Sequence, residues 1–566
     1  MDTTHIDADM ATLTAKKQEW ARLPISRKIE YLDAIKAHTV EIARTWVEDA
    51  VKAKGLAMES PLAGEEWTSG PFSVLSVIQD LRRTLVRLDS GIDPLDGYTV
   101  RETDSGQVVV DVFPYTADDR LLFSGITGEV RMRRDVTLDN LSEHVAAFYK
   151  EADPAGDLSV VLAAGNIASI AVLDVVYAMF NEGKVAMLKM NPVNDYLGVH
   201  FERIFEDLVA DGYVRFAYGG ADVGAYLTDH PEADSIHITG SAATYEAIVY
   251  GVGEEGHANK EADRRINTRP VGAELGGVGP VIVVPGKWSK ADIAYQAEHI
   301  VSMRMHNSGF NCVAGQVLVL PKGWDQAEEL LDAIRATMAA IEDRPPYYPG
   351  TLDRLEAVTD RHTTVEAFGR DHTRYLIQDL DADAADHMFD KELFGPALGV
   401  TWLPATDVTS YLIKAVRFAN ERLVGTLGAQ FIIDPKTMRK HRRALDRALD
   451  DLEYGTIAVN AWTGAAYFLS AVAWGAYPGH TPQDIGSGVG VVHNTLMFDA
   501  SEKSIVFGPF APSPRSFPKG ELHASPKLVY FVTNKQAHTI GERLIDYSDT
   551  ESKADLAKVA SAALRG

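Results

Sequence analysis

Cysteine is almost absent from this sequence: Cys312 is the only one in 566 residues. That excludes an internal disulfide, a cysteine-based metal cluster and a resolving thiol beside a reactive one. Neither His-Glu-x-x-His nor Cys-x-x-Cys occurs, so no catalytic metal is supported. Positive charge is also scarce. Fifty-five Lys and Arg against eighty Asp and Glu give a formal charge of -25, which argues against a nucleic-acid role, because phosphate binding needs a basic face. One basic cluster, Arg439-Lys440-His441-Arg442-Arg443, precedes Ala444, Leu445, Ala448 and Leu449, a spacing that predicts a helix with one apolar face and solvated charges. The most apolar long stretch, Val160 to Phe180, contains Gly165, Asn166, Ser169 and Asp174. It reads as strand, turn and buried helix, with no membrane span. The start, Met1 to Asp9, is acidic and lacks the apolar core of a secretory signal. A cytoplasmic location is the expectation, consistent with a free thiol.

The length allows two or three domains with ample core. Residues 25 to 90 carry helical periodicity through Ile29, Leu32, Ile35, Ile42 and Ala43, and Val108 to Val112 reads as a strand. From 158 onward strands and helices alternate. Strands are expected at Leu158–Leu162, Val185–Lys189, Val214–Ala217 and Ser235–Ile238, with helices near 169–182, 198–210, 222–229 and from 241. That alternation predicts an α/β fold with a parallel sheet of crossover units. Gly508 to Pro514, with Pro518, is a Pro-rich connector, and Leu528 to Thr533 reads as a last strand. Two look-alike motifs fail on context. Gly251-Val252-Gly253-Glu254-Glu255-Gly256 ends a helix-like segment where a dinucleotide loop needs a strand before it. Asp379 to Asp383 resembles a calcium loop but has Ala384 where glycine is required, and reads as a solvated acidic loop.

The thiol lies in Asn307-Ser308-Gly309-Phe310-Asn311-Cys312-Val313-Ala314-Gly315-Gln316, followed by the apolar Val317 to Leu320. A free cysteine is usually a small buried hydrophobe. Here a loop-to-strand junction rich in Gly, Asn and Ser suits a nucleophile better. Thirty-eight residues earlier stands Ala273-Glu274-Leu275-Gly276-Gly277, before the strand Val281 to Val284. The glycines leave room for a close approach of backbone or ligand to that carboxylate.

Glu274-Leu275-Gly276-Gly277 followed by Asn-x-Gly-x-x-Cys resembles the paired signature of the aldehyde dehydrogenase superfamily. Further motifs follow in that family's order: Met187-Leu188-Lys189, Ile238-Thr239-Gly240-Ser241, Glu392-Leu393-Phe394-Gly395-Pro396, Ala419-Asn420-Glu421 with Gly425 and Leu427-Gly428-Ala429, and Gly455 to Asn460. They span about 160 to 460; residues 1–150 and those after 490 match loosely.

The resemblance implies an aldehyde dehydrogenase-like fold. It would have a Rossmann-like dinucleotide-binding domain (1–128 and 155–273), a catalytic α/β domain (274–490), and an oligomerisation β-arm with a C-terminal extension (129–154 and 491–566). It implies oxidation of an aldehyde to a carboxylic acid: Cys312 attacks the carbonyl, Asn166 and a backbone N–H stabilise the oxyanion, and Glu274 activates water against the thioester. By the same resemblance, NAD or NADP lies against Lys189, Gly220, Thr239, Gly240, Ser241, Leu275, Glu392 and Phe394, with the pyrophosphate at the helix start after Gly240.

Two departures bear on this. Gly165 stands where the family commonly has an aromatic, and Ala-Gly-Asn also resembles the branch that reduces activated acyl groups. A CoA-dependent acylating enzyme is therefore the alternative, although a water-activating Glu274 argues against it. Pro192 stands where NAD-preferring members often carry Glu, so NADP becomes plausible. An inactive scaffold retaining the fold is a reading from another class, opposed by the joint presence of Cys312, Glu274 and Asn166. Trp462, Tyr467, Phe468 and Trp474 fit an apolar funnel or ordinary core equally well. The partners expected are a small aldehyde and further copies of the chain, in a homodimer or homotetramer. Exchange of the arm Glu129 to Arg133 against Leu528 to Thr533 would build it.

Overall fold

The computed structural model describes residues 3–370 and 372–566. Helices Thr4–Ala21, Ile25–Ala53, Ala63–Trp67 and Ser73–Asp89 lead the chain. The second buries Leu32, Ile35 and Ala43 of its periodic residues, together with Trp46 and Ala50, while Ile29 and Ile42 are only half-buried. Three strands follow: β1 (Thr99–Glu102), β2 (Val108–Phe113) and β3 (Thr127–Met132). Next come β4 (Leu158–Leu162), β5 (Val185–Lys189), β6 (Val214–Ala217), β7 (Ser235–Gly240) and β8 (Val271–Leu275), with helices between most of them. The remaining strands are β9 (Gly279–Val283), β10 (Gly315–Lys322), β11 (Val365–Phe368), β12 (Arg374–Leu380), β13 (Ala397–Pro404), β14 (Gly428–Ile432), β15 (Thr456–Val459), β16 (Trp474–Gly475), β17 (Gly488–Val489), β18 (Val491–Val492) and β19 (Ser501–Phe507).

One sheet has the order β17-β8-β7-β4-β5-β6. Its five long strands are parallel, and β4 and β5 are buried along their whole length, as apolar runs covered on both faces should be. Successive strands run outward from β4 in one direction, β4 to β6, and then from β7 in the other. The crevice above the carboxyl ends of β4 and β7 is thus a topological switch point, where open α/β sheets bind ligands. The second sheet has the order β1-β2-β3-β19-β15-β14-β9-β10-β13-β12-β11. Its β9 and β10 carry the chain away from Glu274 and Cys312. Strands β1 and β2, expected with the dinucleotide unit, join this second sheet.

The expected exchange arm is corrected by this topology. β3, which holds Glu129 to Met132, is paired on both edges within its own chain, with β2 on one side and β19 on the other. β19 in turn pairs in parallel with β15. Leu528 to Thr533 forms turns and no strand. Tyr530 and Phe531 are both buried, and adjacent buried side chains conflict with the alternation of a half-buried strand. Tyr530 hydrogen-bonds His299 Nε2 at 2.8 Å, and the Phe531 ring lies 4.9 Å from the His299 ring. The strand-exchange argument for a homodimer or homotetramer falls with this segment.

Helices Ala537–Thr550 and Lys553–Ala563 pack against the N-terminal helices, with Ile540, Leu544 and Val559 in one apolar cluster with Ala63, Trp67 and Leu75. The basic cluster behaves as its pattern predicts: Leu445, Ala448 and Leu449 are buried in helix Arg442–Asp451. Helix Gly253–Glu261 occupies the rejected glycine motif. Asp381 and Asp383 are exposed beyond β12; the side chain of Asp379 lies outside what is described. Among the described residues, no helix is long and apolar enough to cross a membrane.

Candidate active site

The nucleophile candidate sits on a loop forced into an unusual path. Helix Lys290–Met305 ends, and Asn307, Ser308 and Gly309 then take φ of 51°, 54° and 74°. Three successive left-handed residues cost on the order of 1–3 kcal/mol each for the two non-glycines, so surrounding contacts must hold them. Gly309 is required there, since a Cβ would lie 2.5 Å from the Gly395 carbonyl oxygen. Asn307 N–H donates to Glu65 Oε2 at 3.0 Å, and Glu65 is paired with Arg344 at 2.7 Å. Asn311 Nδ2 closes the loop on the His306 carbonyl at 2.8 Å.

Cys312 keeps some accessible surface at the end of this loop. Desolvation, with the Glu274 and Glu392 carboxylates nearby, pushes its thiol well above the usual range, against the smaller pull of the Cys312 and Val313 N–H groups. The resting group at neutral pH is the thiol, and deprotonation must accompany attack. Both carboxylates act on this sulfur, so the structure brings the two sequence-distant motifs to one place.

Glu274 is buried on β8, and its Oε1 accepts a 2.6 Å bond from Trp474 Nε1. Burial and the charge of Asp174 raise its pKa to about 7, opposed by the Trp474 bond and by His237. The neighbouring strand continues this polar patch. Thr239, opposite Glu274 in register, donates to Asp174 Oδ2 at 2.8 Å, and His237 lies 3.6 Å from the same oxygen. Asn166 is buried just beyond β4, and its Nδ2 donates to the Phe310 carbonyl at 3.0 Å, two residues before the thiol. Gly165 is explained by packing: a Cβ would meet Asn191 Oδ1 at 2.7 Å and Val193 Cβ at 2.9 Å.

The remaining sequence-derived residues fall in two groups. Lys189, Gly220, Thr239 and Gly240 line a cleft of about 360 Å³ at the switch point, with Ile238, Ile248 and Val252 among its apolar walls. Lys189 ends β5; burial lowers its pKa, opposed by Asp222 and Asp195. Ser241 does not line this cleft; it caps helix Ala242–Tyr250 by accepting from Thr244 N–H. Glu392, Phe394 and Leu275 belong to the second group, on the thiol side. The Glu392 carboxylate lies against Gly276, where a Cβ would sit 2.2 Å from its oxygens, which is the close approach the Gly-Gly pair foreshadows. Burial raises the Glu392 pKa to about 8 despite Arg304 and Arg354, and its Oε1 is buried with no hydrogen-bond partner among the described residues. Phe394 packs on Phe310 with ring centroids 5.6 Å apart, and Leu275 is buried at the end of β8.

Several positioning groups escape the motif reading. Gln316, four residues past the thiol, donates to the Met388 and Lys391 carbonyls at 2.8 Å and accepts Leu393 N–H at 2.8 Å, so it ties the Glu392 loop to the nucleophile strand. Trp462 Nε1 donates to the Val313 carbonyl at 3.1 Å, and Tyr467 hydrogen-bonds Ser169 at 3.0 Å. Trp462, Tyr467 and Trp474 thus make polar contacts that hold the site. Only the adjacency of Gln316 to the Cys312 motif offers a sequence signal for any of these.

An aldehyde dehydrogenase family model matches residues 122–351. The chain is similar to 1-pyrroline-5-carboxylate dehydrogenase 2 of Bacillus subtilis, with 25% identity over 296 residues, 49% of this chain and 53% of that protein. It is similar to coniferyl aldehyde dehydrogenase of a Pseudomonas species, with 24% identity over 360 residues, 57% of this chain and 68% of that one. The first of these matches spans about half the length of the relative. Among solved structures, aldehyde dehydrogenase C of Pseudomonas syringae, complexed with NAD+ and octanal, superposes with a TM-score of 0.60 at 16% identity, covering 90% of each chain. The NADP-dependent glyceraldehyde-3-phosphate dehydrogenase of Bacillus halodurans, complexed with NADP, gives 0.58 at 17% identity over 90% of this chain and 92% of that one. These structures share the fold. In its matched residues, its ordered motifs and its fold, the chain is similar to aldehyde dehydrogenases.

Proposed function

We propose that this protein oxidises an aldehyde to a carboxylic acid, with NAD or NADP as acceptor and Cys312 as nucleophile. The observation that carries the reading is the Asn166 amide bonded to the Phe310 carbonyl, two residues before the chain's single thiol, with the Glu392 carboxylate lying against Gly276, two residues past Glu274. The residues fit a dinucleotide: an apolar-walled cleft at the switch point carries Lys189, and on the thiol side Glu392 Oε1 is buried without a hydrogen-bond partner among the described residues. Bound there, a nicotinamide dinucleotide would serve as the hydride acceptor. Cys312 Sγ adds to the carbonyl carbon as its thiol proton passes to Glu274 and on to solvent, and the oxyanion is held by Asn166 Nδ2 and a backbone N–H. Once the thioester has formed, Glu274 takes a proton from the attacking water, and the acid leaves as the Cys312 thiol is restored.

A carboxyl group poised at about 7 suits a general base at neutral pH, because it is substantially ionised yet basic enough to accept a proton. The test is an aldehyde panel containing 1-pyrroline-5-carboxylate, coniferyl aldehyde and octanal, assayed with NAD and NADP separately, with and without CoA. Cofactor reduction without CoA is the expected result. Turnover only when CoA is present would replace this reading by the acylating one, and no turnover with any aldehyde would favour the inactive scaffold.

A further inference from the structure

The groups that hold the nucleophile loop come from the N-terminal helices, some 250 residues away in sequence. Lys54 caps the end of helix Ile25–Ala53 and is buried. Its Nζ lies 2.7 Å from Glu66 Oε1, 3.2 Å from Asn307 Oδ1 and 3.4 Å from the Asn166 main-chain oxygen. Tyr347 OH repeats the last two contacts, at 3.0 Å and 3.1 Å, and the Tyr347 ring lies 5.0 Å from Nζ.

A lysine ammonium has donors only, so the Asn307 amide must turn its oxygen toward Lys54. Its nitrogen then faces the other way, donating to the Phe310 and Asn166 carbonyls at 3.1 Å each. The Phe310 carbonyl also receives Asn166 Nδ2. An amide nitrogen carries two hydrogens. With one fixed on Phe310, the second is left for a reacting oxygen. The polarity of the whole chain of bonds starts at one buried charge.

We propose that Lys54, held by Glu66, is a positioning residue that sets the amide orientations of Asn307 and, through the Phe310 carbonyl, of Asn166 around Cys312. The inference rests on the roles proposed above for Cys312 and Asn166. A lone Lys54→Met leaves Glu66 buried and unpaired, so the informative variant is Lys54→Met/Glu66→Leu, which removes both charges. With circular dichroism and Tm showing a folded protein, kcat should fall at least about tenfold, short of the ~10²–10³-fold cost of removing an oxyanion donor outright, while the Kd for NAD is unchanged. Lys54→Arg keeps a charged donor and should recover most of the rate. A folded double variant that turns over like the wild type overturns the proposal.

Lys54→Met/Glu66→Gln removes both charges while keeping the shape of the Glu66 side chain, and gives a second test should Lys54→Met/Glu66→Leu not fold. A several-fold loss of kcat with unchanged cofactor binding supports the assignment, and an unchanged kcat overturns it. Alkylation of Cys312 by iodoacetamide separates this idea from the proposed function, because it needs no turnover and the protein has one thiol. If no aldehyde is oxidised by the wild type, the proposed function fails. A several-fold change in alkylation rate in the double variant, reversed in Lys54→Arg, still supports the positioning role, and equal rates overturn it.

Discussion

Trp474 Nε1 donates to Glu274 Oε1 at 2.6 Å, so the indole supports the charged form of the carboxyl group proposed as the base. Hydrolysis of the thioester needs that group deprotonated. The deacylation rate should therefore rise with pH through about 7 and level off above it. Trp474→Phe removes the bond, disfavours the carboxylate and should move the midpoint to higher pH. Rapid-mixing measurements of deacylation across pH check this; a midpoint that stays put or falls contradicts it.

Glu274→Gln should form the acyl-enzyme and release it slowly. Stopped-flow traces should show a burst of reduced cofactor followed by a much slower steady state. Equal deacylation in wild type and variant would remove Glu274 from the role of base.

Cys312→Ala should abolish turnover while fold and cofactor binding persist, because no second thiol exists to replace it. Circular dichroism, NAD titration and the aldehyde assay decide the matter together. Turnover above a few per cent of wild type in a clean preparation would defeat the nucleophile assignment.

Cofactor choice should be weak. Pro192 is exposed and offers no carboxylate beyond Lys189, so the preference for NAD over NADP should stay within about tenfold, or about 1.4 kcal/mol. Asp222, a carboxylate that acts on Lys189 near the cleft, should account for what preference there is. Asp222→Asn should tighten NADP relative to NAD in direct binding titrations; NADP binding orders of magnitude weaker than NAD in the wild type would refute the expectation.

Gly64 meets Ala537 so closely that a Cβ would lie 2.4 Å from the Ala537 carbonyl carbon. Gly64→Ala should lower stability by about 1–3 kcal/mol, the usual cost of overpacking. Thermal melts report it, and an unchanged Tm would mean that the C-terminal helices are loosely docked.

The sequence is most legible where backbone demands and side-chain pattern agree. The apolar runs of β4 and β5 and the glycines after Glu274 announce buried parallel strands and a close approach, and both are found. Leu528 to Thr533 misleads because β-branched and aromatic residues fit a strand as well as they fit a buried turn. Only the placement of Tyr530 and Phe531 against His299 distinguishes the two. Lys54, Glu65 and Glu66 are invisible for a different reason. On a helix they look like ordinary surface charges, and their burial depends on a loop some 250 residues away.

The place of β19 between β3 and β15 also sets a constraint on synthesis. A ribosome delivers β1 to β3 long before residues 501–507 appear, so the nascent chain holds an unfinished three-stranded ribbon for most of its length. The open edge of β3, and later that of β15, is available to stray partners until β19 arrives to fill the gap. Chains that stop short of Phe507 are left with both edges open, and their fate is set by aggregation before any question of catalysis arises.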